Sequence, residues 1–89
     1  MKQNPNLSPK GKKQKTNQKT LVLLNDDFNT FDHVIDCLTV ICEHNPIQAE
    51  QCAVITHYNG SCVIKLGEIT DLLALQSDLE IYNLDAEII

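Results

Sequence analysis

The sequence predicts an α+β domain: a three-stranded antiparallel sheet with three helices packed on one face, in the order β-α-α-β-α-β. Three observations predict it. The apolar run Leu21-Val22-Leu23-Leu24 stops abruptly at Asn25-Asp26-Asp27, as a buried strand does where the chain turns. Two stretches with helical spacing follow, parted by Asn45-Pro46. Beyond Asn59-Gly60, apolar residues alternate with polar ones in two places, on either side of a third helical stretch, and alternation marks half-buried strands. Strands and helices in this proportion close into a two-layer domain.

The folded part is expected to begin near Thr20. After the first strand, Asn29 or Thr30 can cap a helix, and Phe31, Val34, Ile35, Leu38, Ile41 and Cys42 give it one apolar stripe. Asp32 lies in its first turn, where negative charge suits the helix dipole. Asn45-Pro46 ends this helix near His44 and opens the next, with Asn45 as cap and Pro46 in the first turn. Ala49, Cys52, Ala53 and Thr56 share one face of the second helix. All are small, so a neighbour can approach closely or a cavity can remain. Asn59-Gly60 is a turn signal. Cys62, Ile64 and Leu66 alternate with Val63 and Lys65 as a strand that Gly67 breaks. A third helix begins around 68–70, with Ile69, Leu72, Leu73, Gln76 and Leu79 on its inner face. Leu84, Ala86 and Ile88 then alternate as a short closing strand.

Charge divides the chain. Residues 1–20 hold six of the seven Lys and Arg and no acid, whereas residues 21–89 hold Lys65 and all twelve acids. The expected organisation is a disordered basic extension over 1–19 and one core domain over 20–89. An acidic body argues against nucleic acid as a partner, because phosphates need a basic footprint. No apolar run reaches the roughly 18 residues of a spanning helix, so no membrane partner is expected. The N-terminus lacks a signal peptide's apolar segment, which points to a cytoplasmic protein with Cys37, Cys42, Cys52 and Cys62 as thiols.

Few residues have the spacing of a chemical site. Cys37 and Cys42 are five apart, and Cys52 and Cys62 fall on different elements, unlike the close pairs of zinc sites. His33 and Cys37 share a helix face but make half a site. The cysteines read as small buried apolar residues, with no metal and no cofactor. Asp26 and Asp27 have the composition of an acid/base pair and equally of a turn. No nucleophile–base signature accompanies them, so no catalytic residue and no enzyme is expected. His33 and His44 are expected at the edges of the first helix, in contact with water. His57 is expected at the end of the second, where it can lie beside the end of the first strand.

Asn25-Asp26-Asp27, then Val34-Ile35-Asp36, then His57-Tyr58-x-Gly60 together resemble the ClpS family of protease adaptors, over about Leu21 to Ile88. The resemblance implies a small α+β domain that catalyses nothing. It implies recognition of substrate proteins by an N-degron, a bulky apolar N-terminal residue (Phe, Tyr, Trp or Leu). It further implies delivery to the N-terminal domain of a ClpA- or ClpC-type AAA+ unfoldase and its ClpP peptidase, by a monomer. Family positions that bind the α-amino group fall on Asn25, Asp26, Asp27 and His57. An ammonium has three N–H donors and needs acceptors, so His57 must be neutral to offer a lone pair. The family's hydrophobic pocket falls on Leu24, Asn29, Phe31, Val34, Ala53, Thr56 and Leu84. Phe31 stands where the family usually has Met, and a rigid ring at the rim excludes β-branched termini more strictly. Ala53 replaces a larger residue and Thr56 a Val, which deepens the pocket in favour of aromatic side chains. Two alternatives follow from the same residues: a Cys/His metal or thiol protein, and a ClpS-like interaction domain that has lost substrate selection.

Overall fold

The computed structural model describes residues 18–89. The elements are β1 (Gln18–Leu24), α1 (Phe31–Ile41), α2 (Pro46–Asn59), β2 (Ser61–Glu68), α3 (Ile69–Ile81) and β3 (Ala86–Ile88). The order is the expected β-α-α-β-α-β. The sheet is antiparallel with β1 in the centre, between β2 and β3. Most of the basic extension expected over 1–19 lies outside the described residues. Its last two residues, Gln18 and Lys19, already belong to β1, where they oppose Glu68 and Gly67. Gly67 therefore does not break β2, which runs on to Glu68.

Leu21, Leu23 and Ala86 point from the sheet into the core, where they meet Leu38 of α1, Ala49 and Cys52 of α2, and Leu72 and Leu79 of α3. Both early caps form as expected. Thr30 accepts from the His33 N–H at 3.1 Å, and Asn45 accepts from the Gln48 N–H at 2.8 Å, satisfying donors that a helix start leaves orphaned. Gly60 closes α2 with φ at +95°, a left-handed value that suits a residue without Cβ.

Three further expectations are corrected. His44 is not in contact with water: it is 6 % exposed. Glu43 before it takes a left-handed φ of 59°, and the His44 Nε2–H donates to the Ile64 carbonyl at 2.8 Å. Leu66 does not face inward. The register shifts between Leu21 and Val22, which oppose Lys65 and Val63. Ile64 is thus an extra residue, and a bulge of this kind reverses which side chains face the core. Leu66 is left 56 % exposed on the outer face. In α3 the buried residues are Leu72 and Leu79, whereas Ile69 and Leu73 are largely exposed. Gln76, the polar position of that stripe, has a structural partner: its Nε2 donates to the Ala86 carbonyl at 2.8 Å and ties α3 to β3.

Candidate functional site

Where β1 ends, three backbone hydrogen bonds gather distant segments. Leu24 N–H donates to the Asp85 carbonyl and Asn25 N–H to the Gly60 carbonyl, each at 2.9 Å. Gly60 N–H in turn donates to the Thr56 carbonyl at 2.9 Å. The polar triplet is therefore held against the last turn of α2 on one side and the segment before β3 on the other. Between them lies an open cavity of about 460 Å³. Its size falls within the roughly 300–1,000 Å³ of small-ligand sites.

All eleven residues singled out in the sequence line this cavity. Asn25, Asp26, Asp27 and His57 form its polar side, and Phe31 stands with them. Leu24, Val34, Ala53 and Leu84 form its apolar side, with Asn29 and Thr56 as the polar members of that wall. Ala53 and Thr56 are 3 % and 5 % exposed and make the floor. Leu23 and Thr30 also line it and were missed. Leu23 reads from its apolar run as part of a buried strand, and it serves both core and cavity. Thr30 reads as a helix cap, which it also is.

Asp26 and Asp27 differ in what they touch. Asp26 Oδ1 accepts from the N–H groups of Phe28 at 2.9 Å and Asn29 at 2.8 Å, and Oδ2 accepts from Asn29 Nδ2 at 2.8 Å. Burial pushes its carboxyl up. The Asn29 and Phe28 donors, with a smaller pull from His33, outweigh that and hold it below the ordinary carboxylate value. Asp27 is exposed and accepts no hydrogen bond among the described residues, so its oxygens remain available. The His57 ring meets two neighbours edge to face, Phe31 at 5.2 Å and Tyr58 at 4.9 Å between centroids. Such contacts restrict an imidazole without using its nitrogens.

The thiols lie elsewhere. Cys37, Cys42 and Cys52 are buried, Cys62 is half-buried, and all four are unpaired. Burial pushes Cys42 up to about 11, against a weaker pull from Lys65. Burial, then a contact with Cys62, pushes Cys52 up to about 12. His33 Nε2 lies 3.7 Å from Cys37 Sγ, but it also lies 2.8 Å from the Tyr82 carbonyl. Among the described residues no three His, Cys, Asp or Glu side chains converge as metal ligands do, and no helix is long and apolar enough to cross a membrane.

The family described as ATP-dependent Clp protease adaptor protein ClpS matches residues 14–85. The chain belongs to the ClpS family. None of the curated proteins matches it by sequence. Among solved structures it is similar to Agrobacterium tumefaciens ClpS2 bound to L-phenylalaninamide, at 16 % identity and a TM-score of 0.76, over 82 % of this chain and 95 % of that one. At that identity the likeness shows the ClpS fold. ClpS membership makes the chain an adaptor of an ATP-dependent Clp protease.

Proposed function

We propose that this chain is a cytoplasmic, monomeric, non-enzymatic N-degron adaptor. It binds substrate proteins through a free α-amino group and a bulky apolar first side chain. It delivers them to the N-terminal domain of a ClpA- or ClpC-type unfoldase working with ClpP. One observation carries the reading: a single cavity joins a cluster of acceptors to an apolar wall and a floor of small side chains. An N-terminal residue has that same pairing of an ammonium with an adjacent side chain. Agrobacterium tumefaciens ClpS2 is bound to L-phenylalaninamide, a molecule with a free amine and a benzyl side chain.

The roles divide by geometry. Asp27, Asn25 and neutral His57 accept directly from the ammonium. Asp26 adds its negative charge to the site without a direct bond, because its oxygens already hold the loop. Charged hydrogen bonds contribute about 1.5–3 kcal/mol each, and burial of a large apolar side chain contributes roughly as much again. Less the cost of ordering the peptide, micromolar affinity results, about −8 kcal/mol. The test is fluorescence anisotropy with a Phe-initiated peptide and its N-acetylated twin. Binding of the free amine alone supports the reading. Equal binding of both, or of neither, overturns it and favours a ClpS-like interaction domain without substrate selection.

A further inference from the structure

The enclosed part of the cavity has a one-sided hydrogen-bonding character. Its polar side chains that are not exposed are Asp26, Asn29 and Thr56. Asp26 is a carboxylate and only accepts. Asn29 uses its amide NH2 twice, toward Asp26 Oδ2 and toward the Asn83 carbonyl, both at 2.8 Å. That fixes which end of the amide is nitrogen and leaves Oδ1 as its remaining group. Oδ1 accepts nothing among the described residues. It is also not sealed from solvent, because among the described residues the one side-chain nitrogen or oxygen both sealed and unpartnered is His44 Nδ1, away from this cavity. Thr56 donates its hydroxyl proton to the Cys52 carbonyl at 2.8 Å, and its oxygen keeps lone pairs. Wall and floor thus offer acceptors and no side-chain donor.

We propose that Thr56 and Asn29 are specificity-determining residues, selecting a first side chain with a hydrogen-bond donor near its far end, tyrosine or tryptophan, over phenylalanine or leucine. The inference rests on the function proposed above and adds the substrate class within it. A tyrosine hydroxyl or an indole N–H entering this cavity meets an acceptor. A phenyl ring of nearly the same size leaves Asn29 Oδ1 without a donor and the Thr56 oxygen with its bond to the Cys52 carbonyl alone, and an unmet acceptor is the costlier state once water is displaced. A site built with matched polar groups discriminates more strongly than one that senses size alone.

The experiment uses three free-amine peptides that differ only in residue one: phenylalanine, tyrosine and O-methyltyrosine. They are titrated against the full chain and its Thr56→Val and Asn29→Ala variants. For the unaltered chain, tyrosine should bind roughly three- to tenfold tighter than phenylalanine, and O-methyltyrosine should lose that gain because it has no O–H to donate. The tyrosine-to-phenylalanine ratio should fall toward one in Thr56→Val, which keeps the shape, or in Asn29→Ala. Because the ratio is taken within each variant, it survives any overall loss of affinity. Equal binding of phenylalanine and tyrosine, or a preference that both variants retain in full, overturns this inference alone. Failure of all three peptides to bind overturns it together with the function it rests on.

Discussion

The different hydrogen bonding of Asp26 and Asp27 makes a sharp prediction about two neighbouring carboxylates. Asp26→Ala removes three short bonds that hold the turn between β1 and α1. The site is half-buried, so water replaces part of each bond, and a net of about 0.5–1 kcal/mol apiece is appropriate. The whole loss is then about 1.5–3 kcal/mol. At roughly 4–8 °C per kcal/mol for a domain of this size, the melting temperature should fall by at least about 6 °C at pH 7. Asp27→Ala removes no such bond, so its melting temperature should stay within the roughly ±0.5 kcal/mol of ordinary surface changes. Both variants should lose affinity for a Phe-initiated peptide, the first through a loosened loop and the second through a lost acceptor. Thermal unfolding followed by circular dichroism, beside anisotropy, separates the two. The pH dependence adds a sign. The folded Asp26 carboxyl lies below its ordinary 3.8. Its contribution is therefore present above that value and is lost as pH falls through the folded one. The stability gap between the unaltered chain and Asp26→Ala should close as the pH drops below 3.8. An Asp26→Ala melting temperature equal to that of Asp27→Ala at pH 7 would refute the bracing role.

Three further predictions follow from other parts of the fold. His44→Ala should cost about 1–3 kcal/mol in urea unfolding, because it leaves the Ile64 carbonyl without its donor inside the core; an unchanged midpoint would show that the bond is not needed. Gly60→Ala should cost roughly 1–2 kcal/mol from its left-handed backbone alone, since a Cβ there meets nothing within 4 Å; a loss much above that would mean a clash that the structure does not contain. With Cys42 held up to about 11 and Cys52 up to about 12, both should resist iodoacetamide at pH 8 in the folded protein, and half-buried Cys62 should react first; peptide mapping after timed alkylation gives the order.

The sequence carried the architecture because the local signals agreed with one another. The Leu21–Leu24 run, the two capped helices and the Asn59-Gly60 turn each name an element and its end, and the elements appear in that order. What escaped depends on pairing across the sheet. Nothing in residues 61–68 marks Ile64 as the extra residue of a bulge. Strict alternation therefore placed Leu66 inside, and only the register with β1 puts it outside. His44 escaped for a related reason: its burial depends on a carbonyl twenty residues away. The cavity was legible as a set of positions because three short motifs, in order along the chain, carried the family resemblance that named them. The separate tasks of Asp26 and Asp27 were not, because adjacent carboxylates look alike until their hydrogen bonds are seen.

The buried face of helix α2 meets different parts of the molecule along its length. Ala49 and Cys52 belong to the packed core, whereas Ala53 and Thr56 are buried beneath the cavity but stand outside that core cluster. A change at 53 or 56 therefore reshapes what the cavity accepts while leaving the main packing contacts in place. Leu84 lies in both, so a change there alters selectivity and folding together. The domain thus holds a pair of tunable positions, 53 and 56, and a third, 84, that is locked. Variation that shifts ligand preference without loss of stability is expected to collect at the first two.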